Sequence, residues 1–116
     1  MTYFFRTTAT MKHYNNKNWW IDGDIIRNVY INAENINEAL QEYQEITRDR
    51  YGVKISNNAL KNKDPMYIDT PNGAKQMGYV ITAKTDFRDD NRHKWITQYI
   101  DLWVSISIII DAFEEI

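Results

Sequence analysis

A chain of 116 residues, 43% hydrophobic and 26% charged, has the size and balance of one globular domain, 1–116, with a core of its own. A net charge of −2 argues against a general nucleic-acid binder, which carries a basic surplus, and is too small for an acidic mimic of DNA. With no cysteine, disulfides, thiolate zinc sites and thiol catalysis are excluded.

The opening Met1-Thr2-Tyr3-Phe4-Phe5-Arg6 lacks the regions of a secretory signal. The most apolar stretch, 100–110, is broken by Asp101, Ser105 and Ser107 and falls short of the roughly 20 residues a membrane helix needs. The expectation is a soluble cytoplasmic protein that does not enter a membrane.

Residues 2–11 predict a first strand, with Tyr3, Phe5, Thr7, Ala9 and Met11 on one face and Phe4, Arg6, Thr8 and Thr10 on the other. Residues 12–18 carry three Asn and no apolar period, and predict a loop. The Asp22-Gly23-Asp24 step lies between apolar 19–21 and a strand over 25–32, and predicts a hairpin turn there.

A helix is expected over about 35–51. Asn35-Ile36-Asn37-Glu38 fits a capping box, and Ile36, Ala39, Leu40, Tyr43 and Ile46 make one apolar face. Glu34, Glu38, Glu42 and Glu45 precede Arg48 and Arg50, the order the helix dipole favours, and Gly52 suits a left-handed end.

A short strand over 53–55 follows, then a stretch over 56–63 that reads equally as an irregular link or a helical turn around Ala59 and Leu60. Residues 66–70 and 75–87 predict strands flanking the Thr70-Pro71-Asn72-Gly73 turn. The last strand, 94–110, alternates: Ile96, Gln98, Ile100, Leu102, Val104, Ile106, Ile108 and Ile110 oppose Trp95, Thr97, Tyr99, Asp101, Trp103, Ser105 and Ser107. Seventeen residues is long for one strand and implies a bulge or bend. The expected fold class is α+β: a mostly antiparallel sheet of about five strands, ββαβ plus a C-terminal meander, with one amphipathic helix on one face.

One helix covers one side of a sheet, so the Trp95, Tyr99 and Trp103 face needs another cover. That cover is the protein's own Trp19 and Trp20, as a second small core, or a partner or second copy bound to exposed aromatics, or the stacked bases of a single-stranded nucleic acid. A second candidate surface is basic. Arg48, Arg50, Lys54, Lys61 and Lys63 face Asp49 alone, a local +4 that leaves the remainder at −6. Such a patch is either a solvated face or a contact for phosphate or an acidic protein.

Signals for chemistry are weak. His13 and His93 fall outside metal-ligand spacing, and Asp22-Gly23-Asp24 lacks the other oxygen positions of a calcium loop. Asp86, Asp89 and Asp90 could border a magnesium ion, and Asp86, Asp89 and Asp101 are the carboxylates a metal-dependent nuclease would use, but no catalytic motif surrounds them. No cofactor, metal site or catalytic residue is expected.

The segments Thr8-Ala9-Thr10-Met11-Lys12, Tyr14-Asn15-Asn16-Lys17 and Trp19-Trp20-Ile21-Asp22 resemble small proteins of Firmicute prophages and mobile elements. So do Asn57-Asn58-Ala59-Leu60-Lys61, Gly78-Tyr79-Val80-Ile81-Thr82 and 97–104. The group has no established activity, so the resemblance implies a genomic setting and no site residues. That setting favours a non-catalytic protein-interaction module. The alternatives are a nucleic-acid-binding accessory protein and an inhibitor of a host defence system, such as an anti-CRISPR protein.

Overall fold

The computed structural model describes residues 1–14, 16–88 and 103–115. Its first strand, β1 (Thr2–Tyr14), hydrogen-bonds on both edges: to β2 (Lys17–Asn32) on one side and to the last strand, β6 (Trp103–Glu114), on the other. Beyond β6 lies β5 (Lys75–Arg88), whose far edge pairs with β4 (Lys63–Asp69) along one half and β3 (Val53–Lys54) along the other. Every pairing is antiparallel. With helices α1 (Ile36–Tyr51) and α2 (Asn57–Lys61), the fold is α+β and mostly sheet.

The first hairpin differs from expectation. The stretch 12–18 is not a loop, because β1 runs on to Tyr14, which pairs with Lys17. Asn16 adopts φ 60°, a left-handed conformation that Asn tolerates better than most residues, so the tight turn sits there. The Asp-Gly step does not turn the chain. Gly23 lies inside β2 opposite Ala9, at φ 147°, beside an irregularity in the register.

A bulge at Thr10 reverses the alternation of β1. Ala9 and Lys12 are therefore both buried on the α1 side, opposite Ile108 and Ile106, while Met11 and His13 join Ser107 and Ser105 on the other face. His13 is held there by Asn18 Oδ1 and Ser107 Oγ, each at 2.8 Å.

The helix starts as its sequence dictates. Asn35 Oδ1 accepts from the Glu38 N–H at 3.0 Å, and Glu38 reaches back to the N–H of Glu34, one residue earlier than the simple capping box. It ends at Gly52, in the left-handed region at φ 66°. Ala39, Leu40, Tyr43 and Thr47 bury against the sheet, where Tyr3, Phe5, Ile31, Ile81, Val104, Ile106, Ile108 and Ile110 form the main core. Tyr43 stacks on Phe5 with ring centroids 4.4 Å apart, and its hydroxyl meets Thr7 Oγ1 at 2.5 Å. Both polar atoms are thereby satisfied inside an apolar layer.

Two further elements correct the one-helix, five-strand expectation. Residues 57–61 form a second helix, capped by the Ser56 hydroxyl on the N–H of Ala59, and the described sheet has six strands. The opposite sheet face carries a small core of its own at the end away from the first hairpin. There Phe4, Ile68 and Phe113 bury one another with Val80. Gly78 makes this approach possible: a Cβ there would lie 2.5 Å from the carbonyl oxygen of Ala112 and 2.7 Å from Ile68 Cδ1.

Candidate functional site

Trp103 and the first half of the basic segment, separate in the sequence, meet at one corner of the sheet. Trp103 opens β6 and pairs with Arg88, and Lys54 of β3 pairs with Asp86 on the other edge of β5. Cross-strand partners share a face, so Lys54 and Trp103 both point away from α1, diagonally across β5. The Lys54 ammonium sits 3.9 Å from the Trp103 ring centroid, a cation–π contact. Trp103 remains 40% exposed.

The C-terminus of α1 closes this corner into a cleft. Arg48, Asp49, Arg50 and Tyr51 line it with Gly52, Lys54, Arg88 and Trp103, around a volume of about 330 Å³. Three bonds fix the walls. The Arg88 N–H donates to the Gly52 carbonyl at 2.8 Å, the Gly52 N–H to the Thr47 carbonyl, and the Thr85 hydroxyl to the Lys54 carbonyl. Arg48 is held by Asp49 at 2.9 Å, and its hydrogen bond holds the Asp49 carboxyl below its ordinary range. Arg50 and Lys54 make no ion pair among the described residues. The result is a partly preorganised cationic surface with an indole at its centre.

Other candidates fall elsewhere. Trp20 lies on the same sheet face at the first-hairpin end, on β2, and is 82% exposed. It is not part of a buried core among the described residues. Trp19 is half-buried and points to the α1 side, opposite Lys12. Trp95 and Tyr99 lie outside the described residues, as do Asp89, Asp90 and Asp101. Asp86 is exposed, and no group of three metal-ligating side chains occurs among the described residues. No helix of the described residues is long and apolar enough to cross a membrane.

Lys61 and Lys63 separate from the other three basic residues. They line a groove of about 710 Å³ between α1 and α2, opposite Asn37, Gln41 and Gln44. Those three carboxamides stand at i, i+4 and i+7 on one flank of α1, a spacing that is legible in the sequence. Arg48 continues the stripe at i+11, into the Trp103 cleft. Arg88 also belongs to the corner without any local signal, because the β5–β6 pairing sets it opposite Trp103, while Tyr51 reaches it as the last residue of α1 beside Arg50.

No family model matches the chain, and neither a curated protein nor a solved structure matches it.

Proposed function

We propose that the chain is a non-catalytic interaction protein that seats an acidic surface of a protein partner on the Lys54–Trp103 corner. The observation that carries this reading is the half-exposed indole held under the Lys54 ammonium, with Arg50 beside it and no carboxylate on that cation among the described residues. A large aromatic flanked by cations is the composition of an interface hot spot for a carboxylate-bearing partner. The resemblance of the sequence to small prophage and mobile-element proteins supports a setting in which such a partner belongs to the host or the element. Inhibition of a host defence protein is one form this takes, and self-association is another.

The test is capture of partners on immobilised wild-type chain, followed by purification of the captured protein and measurement of its Kd. Lys54→Glu and Trp103→Ala, each shown folded by circular dichroism, are expected to weaken that Kd by roughly tenfold or more. Affinity unchanged by both contradicts the reading.

One observation favours a second reading. An indole beside Arg50, Lys54 and Arg88 also matches a stacking platform for single-stranded nucleic acid. That reading requires binding that falls steeply with salt. An oligothymidylate that fails to bind at low salt removes it.

A further inference from the structure

The groove between α1 and α2 lies outside that reading and has a different chemistry. Its α1 wall is the stripe Asn37, Gln41 and Gln44, and its other wall carries Asn57, Lys61 and Lys63. Leu40 and Leu60, both buried, lie beneath. Gln44 is committed to the structure, its Nε2 donating to the Ile55 carbonyl at 2.7 Å and tying α1 to the segment before α2. Glu38, the acid of this groove, is likewise engaged, accepting from the Glu34 N–H. By contrast, no side-chain hydrogen bond among the described residues holds Asn37, Gln41 or Asn57, and no ion pair among them holds Lys61 or Lys63.

From this arrangement we infer that the groove is a docking site for an extended peptide segment carrying acidic side chains. Each carboxamide presents one donor face and one acceptor, the complement of a peptide N–H and C=O. The two lysines on the facing wall supply the charge for carboxylates. The groove has no aromatic side chain among its lining residues, so it lacks the stacking surface that single-stranded nucleic acid requires. The residues of α1 and its cap that line the groove, Asn35 to Gln44, extend about 14 Å, roughly the length of four residues of extended peptide, so an octapeptide spans it with room at either end. Because the stripe runs on to Arg48, a bound segment would point toward the Trp103 cleft without depending on it.

The experiment is an NMR titration of the full chain with a blocked octapeptide of alternating Glu and Ser. A Lys-Ser octapeptide and an eight-nucleotide oligothymidylate serve as comparisons. The side-chain amide resonances of Asn37, Gln41 and Asn57 are expected to shift with the Glu-Ser peptide and not with the Lys-Ser one. Lys61→Glu with Lys63→Glu should weaken that binding roughly tenfold, whereas Trp103→Ala should leave the amide shifts in place. Both lysines are at the surface or half-exposed, and an unchanged spectrum elsewhere reports an intact fold. Absence of amide shifts at millimolar Glu-Ser peptide overturns the inference. Shifts produced by the oligothymidylate instead overturn it in favour of nucleic acid. Partner affinity unchanged by Trp103→Ala and Lys54→Glu, with the amide shifts retained, would count against the corner alone.

Discussion

Replacing Tyr43 by Phe removes one oxygen atom from the centre of the molecule and leaves the ring on Phe5. Tyr43 and Thr7 are both fully buried, and their hydroxyls meet at 2.5 Å. With the phenol gone, the Thr7 hydroxyl keeps its desolvation cost and loses its partner, which should destabilise the fold by about 1–3 kcal/mol. Thr7→Val strands the Tyr43 hydroxyl and should cost a similar amount. The double variant removes both polar atoms, so its loss should be well below the sum of the two single losses. Urea unfolding of the four proteins at pH 7, with slopes checked for two-state behaviour, measures the coupling. The pH dependence is a second arm of the same experiment. Burial pushes the Tyr43 phenol above its ordinary 10.0, opposed by the Thr7 hydrogen bond and aided by the nearby Tyr51. The native chain therefore keeps a proton that the unfolded chain releases above pH 10. This contribution is fully present below pH 10 and is lost as pH rises beyond it, by at most about 1.4 kcal/mol per unit. Wild type should lose stability more steeply than Tyr43→Phe between pH 9 and 11. Additive single losses at pH 7 would refute the buried pair, and parallel alkaline slopes would refute the titration.

Other substitutions test the remaining joints. Gly78→Ala should destabilise by about 2–4 kcal/mol in the same unfolding assay, since a Cβ there collides with the Ala112 carbonyl and Phe113. Gly52→Ala should cost at least about 1 kcal/mol, because the left-handed φ of 66° disfavours a side chain and its Cβ would lie 2.9 Å from Arg88 Cβ. Asn35→Ala should cost about 1 kcal/mol and Asn35→Ser much less, since Ser can still accept from the Glu38 N–H. Arg6→Ala breaks a part-exposed pair with Asp111 at 2.8 Å, and a thermal shift of no more than a few degrees is expected.

What the sequence revealed follows the range over which each signal acts. The helix was legible because its cap, its apolar face and its terminal glycine all lie within 18 residues of chain, 35–52. The alternation of β6 was legible for the same reason, and Val104, Ile106, Ile108 and Ile110 are buried as read. The first hairpin was misread because two turn signals competed. Asp-Gly is the stronger in isolation, yet pairing of all of β1 with β2 places the turn at Asn16 and absorbs Gly23 into the strand. The second core at Phe4, Ile68 and Phe113 joins three strands far apart in sequence, and no local pattern announces it.

The candidate site divides along the same line. Trp103 and the basic residues Arg48, Arg50 and Lys54 each stood out alone, but their meeting depends on β3 and β6 flanking β5. Lys61 and Lys63, counted with them by proximity in sequence, turn away into the groove because α2 intervenes.

The most direct test of the proposed interface is chemical footprinting of the chain in complex with its captured partner. Lysine acetylation and tryptophan oxidation would be read by mass spectrometry in the free and bound states. Protection of Lys54 and Trp103, with Lys17 and Trp20 still modified, is the predicted result. Unchanged modification of Lys54 and Trp103, with protection centred on Trp20, would contradict the account.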